Sequence, residues 1–179
     1  MSDDVLGDLV ERIAKQDRDA FDELYRLLST KIYGYLRLRL SNESGIEDIL
    51  QDTFLSVWRQ ASSFQRASKA TTWVFGIARH KLQDWLRIMG RPANEQLDSE
   101  TWIQEDFAPR VVAKLSFEQA LRTLTPEGRE LVYLVFVERW PYQDIARLLC
   151  IPEGTVKSRV HHLKRQLSVL LREEVTDGE

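Results

Sequence analysis

The chain is poor in the residues that staple, break or anchor a fold. One cysteine, Cys150, stands among 179 residues, so no intrachain disulfide is available and a reducing compartment is expected. Eight glycines and five prolines are too few for a collagen-like or low-complexity chain. No apolar stretch approaches the ~20 residues of a membrane-spanning helix, so membrane insertion is not expected. Asp3 and Asp4 open the sequence without the basic-then-apolar pattern of a secretory signal, and the expected location is the cytoplasm. Of the three histidines, His161 and His162 are neighbours that point about 100° apart on a helix, and His80 lies far from both. No metal site is expected. Neither a P-loop, a glycine fingerprint nor a nucleophile–histidine–carboxylate arrangement is present, so no cofactor and no catalysis are expected.

What is present is segregated charge. The net charge is −3, which by itself argues mildly against a nucleic-acid partner. Residues 1–60 carry eight basic and twelve acidic groups, whereas residues 61–92 carry six and one. Residues 93–120 are again acidic, with two and six, and residues 142–172 are basic, with six and two. Two basic stretches in an acidic chain are either two local seats for a polyanion or two solvated helix faces.

Helical spacing dominates. Apolar residues recur at i, i+3, i+4 through Val5, Leu6, Leu9, Val10, Ile13 and Ala14, and through Phe21, Leu24, Tyr25, Leu28, Ile32, Tyr35 and Leu36. Ser41, Asn42, Ser44 and Gly45 interrupt the pattern. Ile46, Ile49, Leu50, Thr53, Phe54, Val57, Trp58 and Ala61 then follow it, and after a polar stretch from Ser62 to Lys69 it resumes in Trp73, Val74, Ile77, Ala78, Leu82, Trp85 and Leu86. Between Gly90 and Arg110 periodicity fades and acidic residues gather between Pro92 and Pro109, as in a linker. Thr125-Pro126 reads as an N-cap before a first-turn proline. Leu131 to Val137 has strand propensity, but without a partner strand its backbone groups would go unpaired, so helix is the expectation.

The end of the chain shows a short helix (Tyr142, Ile145, Ala146, Leu148, Leu149), a break at Cys150-Ile151-Pro152, and a second helix with Val156, Val160, Leu163 and Leu167 inward. This is helix-turn-helix spacing. Lys157, Ser158, Arg159, His161, His162, Lys164 and Arg165 share the opposite face, which supplies donors for phosphates and base edges. An ordinary helical hairpin with a basic face is the other reading. Cys150 is expected to be buried or packed into the turn.

Three blocks, EDILQDTFLSVW (47–58), TTWVFGIARHKLQDWLR (71–87) and IPEGTVKSRVHHLKRQL (151–167), resemble in order and spacing those of extracytoplasmic-function (ECF) sigma factors of the sigma-70 family. The resemblance runs from Phe21 to Leu170. It implies an all-α chain of two small helical domains, 1–90 and 113–173, joined by a flexible acidic linker at 91–112, the second domain holding the helix-turn-helix. It implies binding to core RNA polymerase at the β′ coiled coil and the β flap, recognition of −35 and −10 promoter DNA, strand opening, and control by an anti-sigma factor. By match to the family, Asp48, Gln51, Asp52 and Leu55 would dock on polymerase. Phe64, Arg66, Lys69, Thr72, Arg79, His80, Lys81 and Arg87 would meet the −10 element. In the last helix Lys157, Ser158, His161 and His162 would face −35 bases, while Thr155, Arg159 and Arg165 hold phosphates. The chain departs from the family at Ala70, where a larger apolar residue is usual, at His80 (Asn), at Pro141 (a hydroxyl residue) and at Cys150 (Gly). A non-glycine residue at a positive-φ turn costs roughly 1 kcal/mol.

Two other functions fit the residues less fully. One is a stand-alone helix-turn-helix regulator that binds an operator without polymerase; the other is a helical adaptor that binds only protein.

Overall fold

The computed structural model describes residues 3–89, 121 and 123–176, with side chains between residues 4 and 168 of these. The acidic linker at 91–112, and residues 113–120 where the second domain is expected to begin, lie outside the described residues. Every regular element among the described residues is helical.

Four helices form the N-terminal half. Helix α1, Asp3–Ile13, buries Leu6, Leu9, Val10 and Ile13, one face at i, i+3, i+4, i+7. Val5, expected in that stripe, is 42 % exposed because the buried arc is narrower than the apolar run. Asp17 caps helix α2, Arg18–Arg37, by accepting from the Ala20 N–H at 3.1 Å, and takes Arg12 Nε of α1 at 2.9 Å. One carboxylate thus closes one helix and ties it to the next.

Helix α3, Glu43–Gln60, starts earlier than the apolar spacing indicates. Asn42 is its N-cap, accepting from Gly45 N–H at 3.3 Å, so Ser44 and Gly45 are first-turn residues and not a break. Gly45 has a packing reason: a Cβ there would stand 2.8 Å from the Trp85 ring, so glycine lets α3 approach helix α4, Ala70–Ile88. A single 3-10 turn, Ala61–Ser63, follows α3. Helix α4 likewise begins at Ala70, which places Thr71 and Thr72 inside its first turn.

The C-terminal half contains helix α5, Pro126–Val132, capped by Thr125 accepting from Gly128 N–H at 3.1 Å. It runs into one π-helical turn, Tyr133–Val137, closed by Glu138 N–H to Tyr133 C=O at 2.9 Å. The β-branched segment is therefore helical, and the wide turn absorbs its side-chain crowding. Helices α6, Tyr142–Leu149, and α7, Glu153–Thr176, make the helix-turn-helix. Buried Ile145 and Leu148 of α6 meet Val156, Val160, Leu163 and Leu167 of α7. Cys150 ends α6 in the left-handed region (φ 55°, ψ 43°), and Ile151 N–H closes the turn on Ala146 C=O at 3.1 Å. The thiol is exposed, not buried, because that conformation turns the side chain outward.

The halves pack on each other, α4 against α6. An aromatic row crosses the seam: Trp140 lies 5.0 Å from Phe75, Phe75 5.3 Å from Tyr35, and Tyr35 6.4 Å from Tyr133. Gly34 permits this, since a Cβ there would come within 2.9 Å of Tyr133 Oη.

Candidate nucleic-acid interface

The sequence-predicted residues fall on three surfaces. On α3, Asp48, Gln51, Asp52 and Leu55 are all exposed in one row, and Leu55 is 49 % exposed. The opposite face of the helix holds Ile46, Ile49, Leu50, Thr53, Phe54 and Val57 in the core.

The second surface is the loop before α4 and the outer side of α4. Phe64 is half-buried, its ring 5.3 Å from Trp73. Arg66 turns toward α1, where its guanidinium meets Asp8 and Glu11. Lys69 Nζ is 2.7 Å from Asp144 of α6. Thr72 is 5 % exposed, and its Oγ1 has no hydrogen-bond partner among the described residues. Arg79 Nε is 3.1 Å from Glu130. His80 Nδ1 and Arg87 share Asp84, at 3.1 and 2.8 Å. His80 and Arg87 remain exposed, and Lys81 is half-buried. A cleft of about 690 Å³ lies between α4 and α6, with Thr72, Gly76, His80 and Lys81 on one wall and Arg147 and Cys150 on the other.

Glu130 is the acid at the centre of the seam and is 2 % exposed. Tyr35 Oη donates to its Oε1, Arg79 Nε stands on the same oxygen, and Arg39 approaches Oε2 at 3.8 Å. A carboxylate so deep is tolerable only with such partners. Burial, and then the charge of Glu130, push the Tyr35 phenol well above its ordinary range. Tyr133 donates to Lys31 C=O at 2.8 Å, and Lys31 Nζ reaches Glu138 at 2.6 Å.

The third surface is α7. Lys157, Ser158, Arg159, His161, His162 and Arg165 are all exposed on the side away from the apolar seam, whereas Thr155 is half-buried and its N–H is taken by Pro152 C=O at 2.9 Å. Lys157 Nζ pairs with Glu153 at 2.8 Å; this hydrogen bond holds the ammonium charged above the usual lysine range.

Sequence reasoning missed the acids that engage these cations. Asp84 was legible at i+4 from His80 and i−3 from Arg87. Glu130, Asp144, Asp8 and Glu11 carried no signal, because each looks like an ordinary helix-surface carboxylate until the helices are placed together. Among the described residues no cluster of three or more His, Cys, Asp or Glu side chains gathers as a metal seat, and no helix is long and apolar enough to cross a membrane.

Comparison with known proteins decides what these surfaces belong to. The description "Sigma-70 region 2" fits residues 24–91, and "Sigma-70, region 4" fits residues 114–167. The ECF RNA polymerase sigma factor SigM of Mycobacterium tuberculosis is 31% identical over 155 residues, covering 87% of this chain and 79% of its own. The chain is an ECF sigma factor of the sigma-70 family. SigW of Bacillus subtilis, another ECF sigma factor, is 25% identical over 178 residues, covering 92% of this chain and 95% of its own. The solved sigma factor RpoE from Bartonella quintana, in complex with the anti-sigma factor NepR, superposes with a TM-score of 0.68 at 25% identity, over 85% of this chain and 96% of its own. The structure of CnrH in complex with the cytosolic domain of CnrY shares the fold, with a TM-score of 0.70 at 21% identity, over 94% of this chain and 98% of its own. As an RNA polymerase sigma factor, this ECF chain is a transcription initiation factor. Helix α1 lies ahead of the region 2 match.

Proposed function

We propose that this sigma factor works in the cytoplasm, docks on core RNA polymerase through Asp48, Gln51, Asp52 and Leu55 of α3, and carries two DNA readers. The loop at 64–69 and α4 meet the −10 element; α7 enters the −35 major groove. On α7, Lys157, Ser158, His161 and His162 reach base edges and Arg159 and Arg165 hold phosphates. Opening a duplex without ATP requires capture of the unstacked bases, which phosphate contacts and stacking offset against lost pairing. Phe64, His80, Lys81 and Arg87 are the groups we assign to this, with Trp73 packed against the core behind the Phe64 ring. The protein supplies no bond-making chemistry; that belongs to the polymerase.

The observation that carries this reading is the exposed, polar, largely cationic face of α7 backed by a buried apolar seam. Each reader is modest alone, and one scaffold holding both at the promoter spacing multiplies their affinity. Specific binding is therefore a property of the holoenzyme. Lys69 and Arg79 become available to DNA when Asp144 and Glu130 release them, so promoter binding is coupled to separation of the two halves. The RpoE relative bound to NepR supports a protein inhibitor of the anti-sigma kind for this chain as well.

The test is run-off transcription from genomic fragments with core polymerase, with and without the chain. Promoter-dependent transcripts only in its presence are expected. Initiation no better than that of core enzyme alone overturns the proposal, and tight specific binding of DNA by the free chain would favour a stand-alone regulator.

A further inference from the structure

Arg66 sits midway along the loop between the 3-10 turn and α4, and it is held in an unusual way. Its backbone is left-handed (φ 53°), a conformation disfavoured for any residue with a Cβ. Its side chain does not extend toward the outer side of α4. It forks onto α1, one arm to Asp8 and Nε to Glu11 Oε1 at 2.5 Å. Gly7 flattens the landing site, since a Cβ there would come within 3.1 Å of Arg66 Nη1. The mutual hydrogen bond lowers the Glu11 carboxyl below its ordinary range and raises the Arg66 guanidinium.

The rest of the loop is pinned only at its ends. Ser63 Oγ donates to Gln60 C=O at 2.7 Å and Phe64 N–H to Ala61 C=O at 3.1 Å. At the far end Lys69 precedes α4 without a side-chain capping bond and pairs through Nζ with Asp144 of α6. Between these points the described tie to another element is the fork of Arg66. All three of its groups are substantially exposed, at 41%, 68% and 52% of their side-chain area. Exposed pairs contribute little to global stability, so the fork matters for where the loop lies more than for whether the domain folds.

We propose that Arg66 is a positioning residue of the −10 reader: by straddling Asp8 and Glu11 it sets the course of the 64–69 loop, so that helix α1 takes part in −10 base selectivity. This rests on the reading of that loop as the −10 reader. It also reassigns Arg66 from a DNA contact to a strap that orients Phe64 and its neighbours. The α1 carboxylates occupy the guanidinium that a phosphate would otherwise take.

The experiment uses the full chain with core polymerase and a promoter fragment selected by run-off transcription from a random DNA library, then randomised across its −10 element. The variants are Arg66→Ala, Asp8→Asn with Glu11→Gln, all three together, and the reversed set Arg66→Glu with Asp8→Lys and Glu11→Lys. Thermal midpoints are measured in parallel. Removing either side of the fork is expected to relax −10 discrimination by roughly two- to five-fold, the range that exposed pairs can supply, and the two effects should not add. The reversed set should recover most of the discrimination, while thermal midpoints stay close to the parent. If Arg66→Ala lowers transcription uniformly over all −10 sequences and the carboxylate pair leaves selectivity intact, Arg66 contacts DNA and the strap is wrong. If folded charge-reversed protein does not regain selectivity, the strap is also wrong. Phe64→Ala and Lys69→Ala separate the two levels: should neither they nor the Arg66 set alter −10 selectivity, the loop is not the reader and the functional reading falls too.

Discussion

Lys69 Nζ stands 2.7 Å from the Asp144 carboxylate, so the cation that immediately precedes α4 is neutralised by the first turn of the helix-turn-helix. Asp144 is 4 % exposed, and Arg147 approaches its other oxygen at 3.8 Å. Asp144→Asn keeps the shape and removes the charge. The variant should bind a single-stranded −10 oligonucleotide more tightly than the parent in the absence of polymerase, by roughly five-fold at low salt, as expected when about 1 kcal/mol of competing ion pair is lost. Fluorescence anisotropy over a salt series measures it; an unchanged affinity would show that Lys69 does not contribute.

On α3 the expectation is opposite in kind. Asp52 is exposed and carries no ion pair among the described residues, so Asp52→Arg should leave the unfolding free energy within the small range of surface substitutions, about 0.5 kcal/mol. Its affinity for core polymerase should fall by ten-fold or more, given roughly 1.4 kcal/mol or above for a reversed charge at a docking surface. Competition for core enzyme against a labelled parent chain reports this directly.

Lys157 is exposed near the start of α7, its ammonium paired with Glu153. Lys157→Ala should weaken −35-dependent transcription by about 1–3 kcal/mol if the lysine reads a base edge, with the preference at one promoter position relaxed. Were it a phosphate contact, binding would weaken evenly across sequences and the salt slope would drop by about one. Core binding should not change; equal loss of both activities would mean that the helix has been misassigned.

How much of this was legible in the sequence follows from how local each cause is. Helix faces were readable because burial repeats with the helical period, and the helix-turn-helix because two such patterns, Ile145 and Leu148 before the turn and Val156, Val160, Leu163 and Leu167 after it, flank the break at 150–152. The starts of α3 and α4 lie ahead of their apolar spacing, because the Asn42 side chain caps one and an extended Lys69 backbone leads into the other, and apolar spacing encodes neither. At Cys150 the family turn left two outcomes open, an altered turn or a strained residue, and the φ of 55° shows the second, whereas nothing in the sequence marked Arg66 for its φ of 53°. The candidate DNA cations were identified by type and position. Their intramolecular partners were not, because Glu130 meets Tyr35 across 95 positions of sequence and nothing local marks a carboxylate for burial.

The seam between the halves also sets a response to alkali. Tyr35 and Tyr133 both have phenol pKa values raised above the ordinary 10.0, first by burial and then by Glu130 and Glu138 respectively. A raised acid resists ionisation in the folded chain, so the unfolded chain releases protons first as pH rises. The stability these two phenols contribute is therefore fully present below about pH 10 and declines above it. Urea midpoints between pH 8 and pH 11 should show this fall. Tyr35→Phe should lower stability by about 1–2 kcal/mol at neutral pH, through the lost bond to Glu130, and flatten the alkaline decline. A decline as steep as the parent's would place the titrating group elsewhere.

Gly34 gives that seam its character. The backbone of one half rests against a phenol oxygen of the other, so the clasp leaves no room for a further methyl at this point. Gly34→Ala would push the Tyr133 hydroxyl aside, at the expense of its bond to Lys31 C=O, and so loosen the grip of one half on the other.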